Sequence, residues 1–288
     1  MSIDAYDIAS VAEPDKEADQ TAPRARVRDL NVTFQRRGVP LNALRGVSLD
    51  IQPGEVLALV GESGSGKSVL GMALLGLLAG EPAPVISGSA EVCGVDMVTA
   101  SPAERRRVRK AHLGAVFQDP MTSLDPTMRV GKQITELTGD PDEARRLLEL
   151  VGVPDPLRRM KAYPHELSGG LRQRVMIAMA VAGKPDLVIA DEPTTALDVT
   201  VQAQVLALLR DLCSELGTSF IVVTHDIGVA SQIADRVAVL YGGRIAEMGT
   251  MDEVLRAPSH PYTYGLLNSR LDLDLPLGHA ISALAGQP

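Results

Sequence analysis

Read for its apolar positions alone, the chain switches between two periods. From Val27 to Phe34 and from Leu44 to Ile51 apolar and polar residues alternate, which predicts two half-buried strands with a turn at Gly38 to Pro40 between them. Pro53-Gly54 then turns the chain into a short apolar strand, Val56 to Val60. The run Val69 to Leu78 is apolar on nearly every face and predicts a helix buried against a sheet. Further on, Leu113 to Phe117, Leu187 to Ala190, Phe220 to Thr224 and Val237 to Tyr241 are short apolar runs bounded by turn or polar residues, the pattern of buried strands in a largely parallel sheet. Helical patterns lie between them at Glu143 to Val151, Gly170 to Ala182 and Val201 to Leu216. This alternation predicts an α/β core. Residues 121–166 break it, being polar, proline-punctuated and helical without a convincing strand, and are expected to form a helical subdomain inserted into the core. No internal repeat of fixed period is visible.

Composition narrows the class. At 288 residues with 45% hydrophobic content the chain can build a packed core. Its longest nearly uninterrupted apolar run, Val69 to Gly80, falls short of the roughly 20 residues needed to cross a bilayer as a helix. No basic-then-apolar leader opens the sequence, so a cytosolic location is expected. Residues 1–23 are acidic, with Lys16 among six carboxylates, and are expected to be a disordered tail. A net charge of −8 and an aromatic content of 3% argue against nucleic-acid binding. The one basic run, Arg105 to Lys110, follows Ser101-Pro102-Ala103-Glu104, a helix start with proline in its first turn, and reads as a solvated helix face. Cys93 and Cys213 are expected to be ordinary packed thiols.

The chemistry concentrates in two places. Gly61-Glu62-Ser63-Gly64-Ser65-Gly66-Lys67-Ser68 fits G-x-x-x-x-G-K-[ST], placed directly after a strand and before a helix. Consecutive backbone N–H groups can wrap a polyphosphate only where side chains do not intrude, and Gly61, Gly64 and Gly66 remove them. The helix that follows points unpaired N–H groups and its positive dipole end at the same anion. Lys67 adds a cation for the outer phosphates, and Ser68 a hydroxyl for Mg²⁺. The second place is Asp191-Glu192, two carboxylates ending the apolar run that starts at Leu187. Asp191 can hold Mg²⁺, while Glu192 can accept a proton from an attacking water. In isolation the pair could equally be solvated acids at a strand end; with the phosphate loop present, the catalytic reading is favoured.

Leu167-Ser168-Gly169-Gly170, followed by Leu171-Arg172-Gln173-Arg174, resembles the signature sequence of the ATP-binding cassette ATPases. Read without that family, Ser-Gly-Gly is a helix cap after a turn; read with it, it is a second anion cradle at a helix N-terminus. Other positions fall in the family's order. Gln118 resembles the Q-loop glutamine that contacts Mg²⁺ and the lytic water, Ala196-Leu197-Asp198 resembles the D-loop, and His225 resembles the switch histidine, although a lone histidine after a strand is otherwise merely a surface polar residue. Phe34 stands where the family has an aromatic that stacks on adenine, or else sits simply in the core.

The resemblance covers roughly residues 26 to 270. It implies a P-loop NTPase core of mostly parallel sheet with flanking helices, an N-terminal antiparallel β subdomain and the inserted helical subdomain. The cassette is expected over residues 24–257, followed by a short C-terminal segment over 258–288. It further implies that Lys67, Ser68, Gln118, Asp191, Glu192 and His225 bind one ATP with Mg²⁺, and that Ser168 to Gly170 of a partner cassette closes on its γ-phosphate. Hydrolysis then becomes opening and closing of a dimer. The implied partners are a second cassette, identical or different, two membrane permeases and, indirectly, an extracytoplasmic solute-binding protein. The implied location is the cytoplasmic face of the membrane, where the helical insert and Q-loop would present a groove to a short permease helix.

His260-Pro261-Tyr262-Thr263-Tyr264-Gly265-Leu266-Leu267 resembles the C-terminal segment of the peptide and nickel importer branch, and Leu124-Asp125-Pro126 and Gln173 to Ala178 fit it too. Two features depart from that branch: Tyr264 replaces a usual basic residue, and the chain stops soon after Leu275. The rival readings are a soluble cassette ATPase of translation or DNA repair and an exporter ATPase. The sequence lacks the paired cassettes, the long or zinc-bearing insertions and the fused membrane helices that those would bring.

Overall fold

The computed structural model describes residues 21–36, 38–118, 123–195 and 197–268. The acidic stretch up to residue 20, Asp119, Pro120 and the start of the expected insert at 121–122, Ala196 of the expected D-loop, and everything after Asn268 lie outside them.

Two sheets carry the described residues. Strands β1 (Ala25–Arg36), β2 (Val39–Ile51), β4 (Val85–Val92) and β5 (Val95–Asp96) form an antiparallel sheet in the order β2-β1-β4-β5. The second sheet runs β10-β9-β3-β8-β7-β6, built from β3 (Val56–Val60), β6 (Leu113–Val116), β7 (Leu187–Asp191), β8 (Ser219–Thr224), β9 (Arg236–Tyr241) and β10 (Arg244–Thr250). It is parallel throughout except for β10, which turns back antiparallel on β9 as an edge. The helices are α1 (Lys67–Leu74), α2 (Pro102–His112), α3 (Val130–Thr138), α4 (Pro141–Leu150), α5 (Pro156–Arg159), α6 (Gly169–Val181), α7 (Val199–Leu216), α8 (Ile227–Ala230), α9 (Met251–Arg256) and α10 (Pro261–Asn268).

The central strands are apolar at every position because both faces are covered, and the pleat sends alternate residues to different cores. From β3, Leu57 and Leu59 join a core shared by α1 and the antiparallel sheet, whereas Ala58 and Val60 join a separate cluster with α8, α9 and α10. From β8, Ile221 and Val223 face the first of these, while Phe220 and Val222 face a third cluster built with α3, α4, α6 and α7. The two nucleotide motifs thus leave the carboxyl ends of β3 and β7, flanking β8 between them.

Several expectations need correction. The helix expected to reach Leu78 stops at Leu74, because Gly76 takes φ +60° and the Gly76 and Leu77 N–H groups bond back to Ala73 and Met72. Leu77 and Leu78 still pack on the core as irregular chain. The basic run is not wholly solvated: Arg105 donates to the Val98 carbonyl and Arg109 to that of Leu75, which fastens α2 to its neighbours. Its start is the reciprocal Ser101 and Glu104 cap that the sequence indicated. Strands β4 and β10 and helix α9 were not anticipated as elements. β4 carries Gly88 at positive φ where it passes Asp29, and β10 is largely polar, so neither shows a clean period of two.

Candidate nucleotide site

The phosphate loop is braced from three sides. A Cβ on Gly61 would sit 2.2 Å from the Leu240 carbonyl oxygen, and one on Gly66, at φ +107°, would sit 2.6 Å from that of Ala43. Only glycine lets β9 and β2 come so close. The β9–β10 turn adds a Gly243 N–H to Ser65 carbonyl bond of 3.1 Å and accepts the Arg45 N–H at its own carbonyl at 2.8 Å. Gly64 differs, since a Cβ there would meet nothing within 4 Å. It borders the open concavity, a cavity of about 660 Å³ walled by Phe34, Leu41, Arg45, Lys67, Ser68, Gln118 and Glu192 among others.

Lys67 is 6% exposed, and its Nζ donates to the carbonyls of Gly61 (2.6 Å) and Glu62 (2.7 Å). Burial lowers its pKa, against the raising pull of Glu192, Asp191 and Glu62. At the end of β7 the two adjacent carboxyls are driven apart. Burial raises Asp191, helped by the charge of Glu192 and opposed by a hydrogen bond from Ser68 and by Lys67. Burial also works to raise Glu192, but hydrogen bonds from Thr195 and His225, with the charges of His225 and Lys67, outweigh it together and hold this carboxyl below its ordinary value. Opposite shifts on neighbouring acids are what separate roles require. Glu192 occupies the left-handed region at φ 49°, with its N–H bonded to the Val223 carbonyl at 2.9 Å, so the turn after β7 is set against β8.

Three groups converge on the Glu192 carboxylate. Gln118 Nε2 donates to Oε2 at 3.1 Å, Thr195 Oγ1 donates to the same oxygen at 2.7 Å, and His225 Nδ1 lies 3.2 Å from Oε1. Gln118, Glu192 and His225, chosen from sequence, are therefore one cluster beside the phosphate loop. Thr195 was missed, as were Leu41, Arg45 and Tyr262, whose hydroxyl accepts the Glu62 N–H at 2.9 Å. The signal for Thr195 was its place three residues after Glu192; for Tyr262 no local signal exists.

The chemistry of the donor set fits a hard divalent cation. Ser68 and Asp191 are hydrogen-bonded to one another, and Gln118 lines the same cavity as Ser68, so the side chains at this end of the loop offer oxygen donors. Phe34 stands in the cavity wall and also packs, partly buried, against the inner core.

Ser168, Gly169 and Gly170 are not in this cavity. They open α6, with the Ser168 hydroxyl accepting the Leu171 N–H at 3.4 Å. Leu167, at 3% exposure, is a core side chain that seats this turn and does not face solvent. Gly170 has a packing role the motif did not disclose: a Cβ there would meet Val201 Cγ1 at 2.9 Å, so the start of α6 rides on α7. Asp198 caps α7, accepting the Val201 N–H at 3.0 Å.

A second cluster, Cys93, His112 and Asp186, brings its ligand atoms within 4.8 Å of one another. His112 Nδ1 lies 2.7 Å from Asp186, Arg24 lies 3.6 Å from the same carboxylate, and burial, then Asp186, pushes the Cys93 thiol up to about 12. The His112–Asp186 contact fastens the end of α2 to the approach of β7, with a neutral thiol beside it.

Residues 44–195 match the family model described as "ABC transporter". The chain is 49% identical over 271 residues to the oligopeptide transport ATP-binding protein OppD of Bacillus subtilis, covering 91% of this chain and 76% of that protein. It is 46% identical over 273 residues to the dipeptide transport ATP-binding protein DppD of the same organism, covering 91% and 81%. Among solved structures, the dimeric post-hydrolysis state of the ATP-binding cassette MJ0796, bound to ADP and Pi, superposes with a TM-score of 0.69 at 28% identity, over 79% of this chain and 98% of that one. CbiO1 of Clostridium perfringens, part of the ABC transporter complex cbiONQ, gives 0.69 at 29% identity, over 82% and 91%.

Proposed function

From the premise that this chain belongs to the ABC transporter family, we propose that it is the ATP-hydrolysing subunit of an importer for peptides or a related small solute such as a nickel chelate. The observation that carries the catalytic half of this reading is the convergence of Gln118, Thr195 and His225 on one carboxylate, Glu192, in the wall of the cavity that holds the phosphate loop.

The roles follow from position. Backbone N–H groups between Gly61 and Ser68 surround the phosphates, and the Lys67 ammonium, freed from the two carbonyls it now bonds, neutralises the outer ones. Ser68, Asp191 and Gln118 would hold Mg²⁺, which supplies charge neutralisation on the phosphate oxygens when bound. Glu192 orients a water for attack and takes its proton, with the ionised form favoured by its Thr195 and His225 bonds. His225 fixes the direction of that carboxylate and can reach toward the γ-phosphate from the end of β8. Phe34 lies where an adenine ring entering the cavity would meet an aromatic face.

The signature turn supports assembly with a second cassette. Ser168 and Gly169 are exposed at the start of a helix and outside their own chain's cavity, so the phosphate they cradle belongs to a partner. Asp198 and the exposed Val199 lie beside them at the start of α7.

A groove of about 400 Å³ supports docking to a permease. It runs between β6 and the ends of α3 and α6, lined by Phe117, Leu124, Leu137, Met176 and Met179. Phe117 and Leu137 are 41% and 54% exposed there, an apolar floor next to Gln118 that suits a short amphipathic helix. No helix among the described residues is long and apolar enough to cross a membrane, so the reading places two permease subunits in other chains, with this one held at the cytoplasmic face. A solute-binding protein outside would select the cargo. Peptide import is favoured by the two Bacillus relatives, which are named as oligopeptide and dipeptide transport ATP-binding proteins.

The test is phosphate release from ATP by the chain and its Glu192→Gln variant. Retained ATP binding with turnover almost abolished is the expected result; undiminished turnover removes the catalytic assignment. Peptide-dependent ATPase in vesicles carrying the two permeases and the solute-binding protein tests the importer reading.

A further inference from the structure

Tyr262 lies 200 residues downstream of Glu62 and far beyond the matched residues 44–195, yet its hydroxyl touches the phosphate loop. Helix α10 brings it there. Tyr262 is 8% exposed, tilted against the Tyr241 ring with centroids 4.4 Å apart, and belongs with Leu266 to the apolar cluster on the Ala58 and Val60 face of β3. The helix entry is itself fixed: Glu247 accepts the Ser259 and His260 N–H groups, and His260 Nδ1 accepts the Tyr262 N–H at 3.1 Å. Burial raises the phenol above its ordinary pKa, so the group stays a neutral hydroxyl.

The peptide joining Gly61 to Glu62 is gripped at both ends of its dipole. Its carbonyl accepts the Lys67 ammonium at 2.6 Å, and its N–H donates to Tyr262 at 2.9 Å. These two holds differ in fate. When phosphate enters, Lys67 is the cation that turns to it, and the carbonyl loses its partner. The tyrosine hold does not compete with the ligand.

We propose that Tyr262 is a positioning residue for the nucleotide, the anchor that keeps the first peptide of the phosphate loop in its binding orientation once Lys67 has left it. This rests on the reading of the loop as an ATP site. Without the hydroxyl the Glu62 N–H seeks other partners and the loop spreads over further conformers, so apparent affinity falls by the fraction that remains competent. Saturating nucleotide selects that fraction again, so the loss appears in KM and not in kcat.

The full-length chain supplies the test, with MgATP binding followed by calorimetry and hydrolysis by phosphate release. Tyr262→Phe removes the hydroxyl and leaves the ring on Tyr241. The ATP Kd and KM should both rise by about 3- to 10-fold, the worth of one net hydrogen bond. The kcat should stay within about twofold, and the nucleotide-free melting midpoint should fall by no more than that of Leu266→Ala. Leu266→Ala, which trims the same helix without touching the loop, should lower the midpoint and leave the Kd alone. An unchanged Kd in Tyr262→Phe overturns the proposal, as does a Kd that weakens in both variants in step with their midpoints. Lys67→Ala separates the premise from the inference. If it binds ATP normally, the nucleotide site itself is wrong and the proposal falls with it; if it loses binding while Tyr262→Phe keeps it, the site stands and the tyrosine anchor does not.

Discussion

Among the described residues, two glycine-rich turns that open helices, before α1 and before α6, are built in opposite ways. The loop before α1 is enclosed: its lysine is buried, its glycines press on the backbone of β2 and β9, and the Gly242-Gly243 turn bonds to it. The turn before α6 is open: Ser168 and Gly169 are exposed, and a Cβ on Gly169 would meet nothing nearer than Leu197 Cδ2 at 4.0 Å. Both offer free N–H groups to an anion, but only the first is walled by the rest of its own chain. A cradle that is preorganised can hold a ligand alone. A cradle left bare acts only when something is pressed against it, and so is suited to sense whether the other is filled.

That contrast can be broken at several points. The largest effect is expected at Glu192→Gln, where kcat should fall by about 10²- to 10⁴-fold, the usual worth of a positioned base, while ATP still binds. Pre-steady-state phosphate release against a binding isotherm would show it. Next comes Gly169→Asp, for which the free chain has room. A carboxylate there opposes a partner's phosphate at a cost of several kcal/mol, so turnover should drop by about 100-fold or more. ATP binding to the isolated variant should be unaffected, and a loss of binding in the lone chain would mean that the two cradles are not separate. Lys67→Ala should weaken ATP binding by about 10- to 100-fold, the value of a charge-assisted hydrogen bond, as read by calorimetry.

Smaller changes sharpen the picture. Thr195→Ala removes the 2.7 Å donor to Glu192 and should cut kcat by about 3- to 10-fold with little change in KM. An equal loss from KM instead would assign Thr195 to binding. Asp198→Ala removes the cap of α7 and should cost about 1 kcal/mol in a denaturation series. Nucleotide affinity of the single chain should survive that change, because the cap belongs to the exposed side of the molecule.

Legibility from sequence followed the same division. The buried strands β3, β7, β8 and β9 read correctly because continuous apolar runs between turn residues leave little choice, and the motifs at the ends of β3 and β7 fell where such sheets bind ligands. Strands β4 and β10 did not, since edge positions and a glycine at positive φ blur the alternation. The end of α1 was misplaced by apolar residues that continue past a glycine stop, as Leu77 and Leu78 are half-buried without being helical. Residues singled out by motif order met at Glu192, but the hydroxyl of Thr195 and the reach of Tyr262 depend on how distant segments fold back. Arg105 and Arg109 carry the same lesson in reverse, because charge suggested solvent while their long stems reached carbonyls.

Strand β3 divides its side chains among three apolar clusters and ends in the phosphate loop. None of the three can come apart without disturbing the mouth that the strand supports. A small molecule held at that mouth is therefore a clasp on the whole body: at a hundredfold excess over its dissociation constant it adds about 2.7 kcal/mol against melting. Heat resistance should then climb with the logarithm of nucleotide concentration, in a single transition shared by both halves of the cassette.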